Sequence, residues 1–265
     1  MKSNKADKSL IFRCSYYLLL IFSILLCLSL YPKLEADENL TFIDLNLSSK
    51  NYEKGKVPKG WELRKRLSST KGAEAKWVIE DDVQAVRLHS RGTLTFLEKT
   101  VDIDIKEYPI VTWKWKVKNI LQGIDESMVE GDDHPIRIFF VFDPDASKQS
   151  FWFRLKRVLY LDRIHGHPFG GRFTEYLWSS HLQSGNIIND PKKPWQKLIV
   201  IEGGSKNLGK WLSYERNLYK DFKELYGEEP RRLIFIGILN DTDQTGQDAV
   251  SYIADLMFHR PSELQ

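Results

Sequence analysis

Short apolar runs alternate with turn signals along most of the chain after Trp61. The runs are rich in β-branched and aromatic residues and are mostly bounded by Gly, Pro, Asn or Asp, a pattern that predicts β-strands. Many strands at short spacing, with few helices, favour a mainly β fold, an antiparallel β-sandwich of jelly-roll type. The predicted strands are Lys76–Glu80, Ala85–His89, Thr93–Asp102, Ile110–Val117, Ile136–Phe142, Phe173–Trp178, Lys197–Glu202, Leu233–Leu239 and Ser251–Phe258.

Two of these strands should be buried in different ways. In VTWKWKVK, the apolar residues Val111, Trp113, Trp115 and Val117 alternate with polar ones, so we expect one face in the core and the other in solvent. The run IRIFFVF at Ile136–Phe142 is apolar almost throughout. This is typical of a central strand that is buried on both faces.

Helical patterning is confined to two segments. The apolar spacing over Ser213–Tyr226 predicts a helix that Gly227 ends. Glu215, near the start of that helix, would complement the helix dipole. A second helix is predicted near Ser150–Leu161. One or two short helices are therefore expected beside the sheets.

The first 36 residues predict where the rest of the chain resides. A basic start precedes an uncharged, strongly apolar stretch from Cys14 to Pro32. Such a segment is either a cleaved signal peptide or a retained N-terminal membrane anchor. Both alternatives place residues 37–265 outside the cytoplasm, in the periplasm or anchored in the inner membrane. Residues 37–58 are predicted to be a weakly structured lead-in and residues 59–265 a single domain.

Composition excludes several classes of function for the exported part. Both cysteines lie in the first 36 residues, so the rest holds no disulfide and no thiol nucleophile. The same segment carries five of the 39 basic and two of the 36 acidic side chains. The remainder therefore has a net charge near zero, which argues against nucleic-acid binding. Contact with a membrane is expected only through the N-terminal segment.

The most specific polar cluster is NDTDQTG at Asn240–Gly246, directly after the apolar run LIFIGIL. Asp241 and Asp243 lie two residues apart, and Gly246 provides a turn. Hard cations such as Ca²⁺ take several oxygens from one small loop, so the two acids are a candidate metal or ligand site. The alternative is a network of Asx turns that satisfies the backbone of the loop. Without a cation, the acids need an arginine such as Arg137 or backbone N–H groups between them.

A second candidate site precedes the apolar strand IRIFFVF. Asp132 and Asp133 come before it, and Arg137 enters it. A guanidinium in such a context needs a carboxylate partner. The residues predict either a structural ion pair or a polar ligand site with acids available for acid/base work.

Aromatic and histidine pairs give weaker signals. Tyr176 and Trp178 share one face of a predicted strand, where they form either a platform for sugar rings or part of the core. Trp113 and Trp115 are predicted to be core. The spacing of His165 and His167 allows chelation of a metal, but two ligands do not make a site, and the glycines around them favour an ordinary loop. The common motifs of serine hydrolases, zinc proteases and nucleotide-binding proteins are absent from the sequence.

Several of these residues resemble the DUF3047 family of exported bacterial proteins, over roughly Gly60 to Phe258. The family typically has T-D-T-D-N-T-G at the final loop, where this chain differs at Asn240 and Gln244. The resemblance implies export and a single domain, but it implies no reaction and transfers no catalytic residue. A galactose-binding-like sandwich is also similar to carbohydrate-binding modules. The matching residues are W-K-W-K-V at Trp113–Val117, Asp132, Asp133, Arg137, Trp211, Glu215, Arg216, Asn217 and Asn240–Gly246.

These observations favour a non-catalytic binding domain of the bacterial envelope. Its ligand would be a glycan or a related polar molecule. One alternative is a polysaccharide hydrolase that uses paired Asp residues, which two acids about 5–10 Å apart across a cleft would support. Another is a structural partner in an envelope complex, which a large flat apolar patch would support. The expected ligand-binding residues are Asp132, Asp133, Arg137, Tyr176, Trp178, Asp241 and Asp243.

Overall fold

The structure is a computed structural model that describes residues 42–48, 53–64, 72–124, 126, 132–145, 147, 150–156, 171–189, 193 and 195–261. Residues 41–265 form one compact unit. No helix within these described ranges is long and apolar enough to cross a membrane. The predicted signal or anchor at residues 1–36, and also His165 and His167, lie outside the described residues.

The described chain consists mainly of strands. The strands are β1 (Phe42–Asp44), β2 (Glu62–Arg64), β3 (Glu74–Glu80), β4 (Val83–Arg91), β5 (Leu94–Ile103), β6 (Ile110–Val117), β7 (Ile136–Phe142), β8 (Phe173–Ser179), β9 (Ile187–Asn189), β10 (Gln196–Gly203), β11 (Leu212–Asn217), β12 (Leu233–Asp241) and β13 (Asp248–His259). The helices are α1 (Phe151–Lys156) and α2 (Leu218–Tyr226).

Two sheets pack face to face as a sandwich. The first sheet has the order β11-β6-β13-β4-β3, and β1 also pairs with β13. The second sheet has the order β2-β5-β12-β7-β8-β10-β9. Neighbouring strands are antiparallel, except that β8 and β10 run parallel. The predicted fold class, a mainly β sandwich with one or two short helices, is confirmed.

The core forms between the inner faces of the sheets, and β6 shows how. Trp113 and Trp115 are buried there as predicted, along with Val111 and Val117. The opposite face was expected in solvent, and for Lys116 this is wrong, because only 2% of its side chain is exposed. Its ammonium group lies 2.6 Å from Glu80 Oε1 and 2.5 Å from Asp81 Oδ2, so paired carboxylates stabilise a charge that would otherwise need water.

The prediction that β7 is buried on both faces is also confirmed. Ile136, Ile138 and Phe140 point into the main core. Phe139 and Val141 point the other way and join a second apolar cluster on the outer face of the second sheet. Alternation along the strand places Arg137 on that outer face as well.

The predicted helix over Ser213–Tyr226 is wrong in its first five residues. Leu212–Asn217 is instead strand β11, which pairs with β6, so Glu215 lies on a strand and cannot complement a helix dipole. Asn217 caps the helix, since its side-chain oxygen accepts a hydrogen bond from Lys220 N at 2.9 Å. Gly227 ends the helix with a φ of 64°, as the sequence predicted.

The predicted lead-in is more ordered than expected. Within it, β1 pairs with β13, and Leu45 and Leu47 are buried in the main core. The carbonyls of these two leucines accept hydrogen bonds from the Nε1 atoms of Trp61 and Trp77, each at 2.8 Å. Two buried indoles therefore hold this segment, Trp77 from β3 of the first sheet and Trp61 from the position directly before β2 of the second sheet.

The strand register defines two ends of the sandwich. Phe42 lies opposite His259, which also lies opposite Ile110. A short turn joins Ile110 to the end of β5, which is paired through β12 with Phe142. We call this the Phe42 end. The other end, the Asp241 end, holds the exit of β12 and the turn between β4 and β5, because Asp241 lies opposite Leu94.

Candidate functional site

A cleft of about 300 Å³ opens on the outer face of the second sheet, with its polar part at the Asp241 end. Strands β5, β7, β8 and β12 contribute most of its lining. Alternation along these strands sends one set of residues into the core and the other into the cleft. The charged wall consists of Asp132, Arg137, Glu175 and Asp241, with Lys193 and Asp243 also in the lining, and the aromatic wall consists of Phe96, Phe139 and Phe173.

Arg137 is the centre of the charged wall, and only 6% of the residue is exposed. Its Nη1 donates a hydrogen bond to Asp132 Oδ1 at 2.8 Å and lies 3.8 Å from Glu175 Oε2. Its Nη2 lies 3.5 Å from Asp241 Oδ2. Burial opposes the charge, but the three carboxylates outweigh it and raise the pKa of Arg137 above its ordinary value. The predicted carboxylate partner of Arg137 is thus present, and there are three of them.

One donor of this guanidinium has no partner. Within the described residues, Arg137 Nε is a buried side-chain atom without a hydrogen bond. A buried unsatisfied donor is costly and is uncommon in folded proteins. An acceptor placed beside it would satisfy this donor.

The two acids on either side of Arg137 have opposite protonation behaviour. Burial opposes the ionisation of Asp132, but Arg137, His134 and Lys193 outweigh it and lower its pKa to about 2. Burial also opposes the ionisation of Asp241. The carboxylates of Asp243 and Asp133 reinforce this effect, and together they raise its pKa to about 7 although Arg137 attracts the ionised form. At neutral pH Asp132 is thus firmly ionised, whereas Asp241 is present in both its protonated and its ionised form.

Asp133 has a different role from the one expected. It is buried and does not line the cleft. Its carboxylate accepts hydrogen bonds from the backbone N–H groups of Gln244 at 3.2 Å and Thr245 at 2.7 Å. Asp133 was expected to contact a ligand. The structure gives it a different role, which is to support the loop that carries Asp241 and Asp243.

The structure extends the predicted metal pair to three acids. Carboxylate oxygens of Asp133, Asp241 and Asp243 lie within 4.8 Å of one another. They supply three of the six to eight oxygens that Ca²⁺ takes. Backbone N–H groups already bond to Asp133 and to Asp241, the latter from Asp243 N at 3.3 Å, and Arg137 lies beside Asp241. The positive groups named as the alternative to a cation are thus both present.

Of the two alternatives for Tyr176 and Trp178, the structure has the core and not the sugar platform, so their place among the expected ligand-binding residues is corrected. Both side chains are fully buried and face the main core. Tyr176 stacks on Trp113 with ring centroids 5.3 Å apart, and Trp178 Nε1 donates to Gly204 O at 3.1 Å. The strand was assigned correctly, but the opposite face of β8 is the one that meets the cleft, where it presents Glu175.

The aromatic side chains that do line the cleft were not singled out from the sequence. Phe96 and Phe139 pack with ring centroids 5.3 Å apart over Gly237 of β12. A Cβ atom at Gly237 would lie 1.9 Å from Phe139 Cε1 and 2.5 Å from Phe96 Cε2. The missing side chain of Gly237 therefore lets two rings meet above the strand. The sequence did contain a signal, because Phe139 lies two residues after Arg137 and so shares its face of the strand.

A second cavity of about 390 Å³, the edge cleft, lies between β10, β11 and α2. It holds Arg216, which belongs to the segment that resembled the family. Arg216 Nε donates to Asp221 Oδ2 at 2.9 Å and its Nη2 to Oδ1 at 2.5 Å. Asp221 in turn accepts a hydrogen bond from the hydroxyl of Tyr176. The partly exposed Arg216 and the buried Asp221 of the edge cleft satisfy one another, which makes the cleft at Arg137 the stronger candidate for ligand binding.

Acidification from about pH 8 to about pH 5 is expected to stabilise the protein through Asp241. Its folded-state pKa of about 7 lies above the value of roughly 4 for an unfolded Asp, so the folded state binds the proton more tightly. Asp132 acts in the opposite sense, because the stability that its lowered pKa confers is complete above about pH 4 and is lost as the pH falls towards 2. Melting temperatures measured from about pH 8 down to about pH 2 check both effects. Asp241→Asn should remove the rise between pH 8 and 5, and a variant that keeps the rise would assign it to another group.

Comparison with known proteins gives one family and a set of distant structures. The model of the family described as "Protein of unknown function (DUF3047)" matches residues 59–257. Comparison with curated proteins finds no match.

Three solved structures illustrate the structural similarity. The family 11 carbohydrate-binding module of the cellulosomal cellulase Lic26A-Cel5E of Clostridium thermocellum is 8% identical, with 83% of this chain and 94% of that chain covered and a TM-score of 0.41. The family 30 module of the cellulase Cel9D-Cel44B of the same organism is 10% identical, with 84% and 100% covered and a TM-score of 0.40. The xyloglucanase domain of NopAA from Sinorhizobium fredii is 6% identical, with 79% and 96% covered and a TM-score of 0.39. Similarity at this level assigns no ligand and no reaction.

Proposed function

Because the chain belongs to the DUF3047 family, a family of proteins of unknown function, we propose its function from the cleft itself. We propose that the protein is a non-catalytic binding domain that holds a glycan on the outer face of the second sheet. One observation carries the proposal. The buried guanidinium of Arg137 contacts three carboxylates, keeps one N–H unpaired, and lies in the same cleft as Phe96, Phe139 and Phe173.

The charged wall suits hydroxyl groups better than it suits ions. A hydroxyl both donates and accepts hydrogen bonds, so adjacent hydroxyls on a sugar can accept from the Arg137 guanidinium and donate to Asp132 or Glu175. A carboxylate ligand would meet three acids around one arginine. A simple cation would meet the guanidinium. A neutral polyol fits this alternation of donors and acceptors without leaving either sign of charge unpaired.

The aromatic wall suits the less polar side of a sugar ring. Phe139 contacts Phe96 and Phe173, with ring centroids 5.3 and 6.0 Å apart, so the three rings form one continuous surface. The C–H face of a pyranose packs on such a surface, while its hydroxyls reach the polar groups at the rim. Binding sites for small ligands commonly combine an apolar lining with a few polar groups in fixed positions.

A glycan array probed with the full chain, followed by titration of each positive glycan, tests the proposal. Arg137→Lys keeps the charge but loses the planar fork and Nε, and we expect it to weaken binding about tenfold or more, which corresponds to about 1.4 kcal/mol. Arg216→Lys is the matched control, because Arg216 is also paired with a buried acid but lies in the edge cleft. Melting curves establish that both variants fold. If Arg216→Lys loses binding and Arg137→Lys keeps it, the edge cleft is the glycan site instead.

A second candidate function is hydrolysis of a polysaccharide. Its supporting observation is the divergence of Asp132, with a pKa of about 2, and Asp241, with a pKa of about 7. A low and a raised carboxyl in one cleft are the pattern of a base or nucleophile with a general acid. In glycosidases such carboxyls lie roughly 5–10 Å apart, and both of these acids contact the same guanidinium. Release of reducing ends that Asp132→Asn and Asp241→Asn each abolish would favour hydrolysis, and binding without release would favour the first proposal.

We also propose that the domain works outside the cytoplasm. The basic start and the apolar stretch before residue 37 support this location. A reporter enzyme that is active only after export, fused after residue 60, is expected to be active. A second reporter that is active only in the cytoplasm should be silent at the same position. Equal activity of the two reporters would contradict the proposed location.

A further inference from the structure

Helix α1 presents an exposed apolar face. Phe151 is 63% exposed, Trp152 73% and Leu155 39%. Positions 151, 152 and 155 fall on one side of a helix. The centroids of the Phe151 and Trp152 rings lie 5.4 Å apart. Single exposed apolar residues are ordinary, but a contiguous group of large ones indicates a surface that another molecule covers. We call these three residues the α1 patch.

The sequence around the α1 patch is basic. Residues 146–161 contain Lys148, Arg154, Lys156 and Arg157 and no acidic residue, whereas residues 37–265 as a whole have nearly balanced charge. A short helix with Trp, Phe and Leu on one side, in a basic segment, has the composition of an interfacial helix. Its charge is complementary to anionic lipid headgroups.

The position of this segment in the fold agrees with that composition. The connection that carries α1 leaves the second sheet after Phe142 and returns to it at Phe173. Its two ends are close together, because Phe142 N donates a hydrogen bond to Arg172 O at 3.0 Å. Phe142 lies at the Phe42 end, where the chain arrives from the predicted signal or anchor. Phe42 is itself exposed. The connection with the exposed aromatic residues therefore starts at the same end of the sandwich as the incoming N-terminal segment.

We propose that the α1 patch docks on the surface of an anionic lipid bilayer, with Phe151, Trp152 and Leu155 in the interfacial region. The proposal draws on the predicted location of the domain beside a membrane, but not on glycan binding. Aromatic side chains favour the interface, where one part of the ring system is apolar and the polar edge stays hydrated.

The test uses the full chain in lipid nanodiscs that hold one chain each. Cys14→Ser and Cys27→Ser remove the native thiols, and Leu155→Cys carries an environment-sensitive fluorophore. We expect its emission to move to shorter wavelength in discs that contain phosphatidylglycerol, but not in discs of phosphatidylcholine alone. High salt should reduce the shift, because it screens the attraction of basic residues to the headgroups. Phe151→Ser with Trp152→Ser should abolish the shift. Ile187→Cys is the matched control, because Ile187 is 52% exposed on the edge strand β9, and its fluorophore should not respond.

Three outcomes would overturn the proposal. A shift that occurs only when several chains share one bilayer would assign the α1 patch to contact between copies of the chain. A shift produced by a glycan in the absence of lipid would assign the patch to sugar binding. No shift in any disc, or equal shifts at positions 155 and 187, would leave no lipid contact specific to α1. The glycan titrations of Arg137→Lys are read independently, so failure of one proposal is distinguishable from failure of the other.

Discussion

Trp115→Ala is expected to lower the free energy of unfolding by about 3–5 kcal/mol, the usual cost of truncating a large aromatic side chain in a core. Trp115 is fully buried between the sheets. Its ring lies 5.4 Å from Trp113, 5.5 Å from Tyr214 and 6.3 Å from Trp178, measured between centroids. These neighbours come from both sheets, so the truncation opens a cavity that no single strand can close by a small shift.

Urea denaturation of the wild type and the variant measures this loss by linear extrapolation. Trp152→Ala is the matched control, because it removes the same side chain from an exposed position. We expect the control to lie within about 0.5 kcal/mol of the wild type. If Trp115→Ala unfolds at the wild-type midpoint, the assignment of this face of β6 to the core is incorrect.

Arg137→Ala is expected to cost about 3–5 kcal/mol at neutral pH, because it leaves buried carboxylates without their cation. Asp132 loses its hydrogen bond of 2.8 Å, and Asp241 loses the largest attraction that opposes the rise of its pKa from burial and neighbouring acids. The loss of stability should shrink as the pH falls towards 5. Without the guanidinium the folded-state pKa values of these acids rise, so the folded variant binds more protons than the folded wild type.

Chemical denaturation at about pH 8 and about pH 5 checks both the size and the pH dependence of this effect. Arg216→Ala provides the comparison, since its guanidinium is paired with the single acid Asp221 and 38% of its side chain is exposed. We expect a smaller loss there. A loss for Arg137→Ala that is equal at the two pH values would show that packing of the side chain, rather than its charge, stabilises the site.

The strands could be predicted from the sequence where their burial leaves a clear pattern. Strands β6 and β7 have the predicted bounds, since each combines β-branched and aromatic residues with unambiguous ends. The segment Leu212–Asn217 could not be predicted in this way. It is an edge strand in which partly buried and exposed residues alternate over the first four positions. The helix follows it directly, and the apolar spacing of the helix continues back into the strand when only the sequence is read. Pairing with β6, a contact distant in sequence, decides the conformation of Leu212–Asn217.

The charged part of the site could be predicted better than its aromatic part. Arg137 in an apolar strand requires acids, and the structure places Asp132 and Asp241 beside it. Periodicity groups Tyr176 with Trp178 and Arg137 with Phe139, but it does not say which group faces the core. Only the packing of the two sheets decides this. The supporting role of Asp133 depends on two loops far apart in sequence, and nothing local to either loop indicates it.

The position of β13 has a consequence for folding during synthesis of the chain. This strand follows the twelve others along the described chain, yet it lies inside its sheet, where it pairs with β4, β6 and β1. While a ribosome is still making it, β4 and β6 each expose an edge that has no partner, and the first sheet cannot close. Unpaired strand edges favour aggregation, so these two edges are exposed to wrong pairing until β13 is available to fill the gap between them.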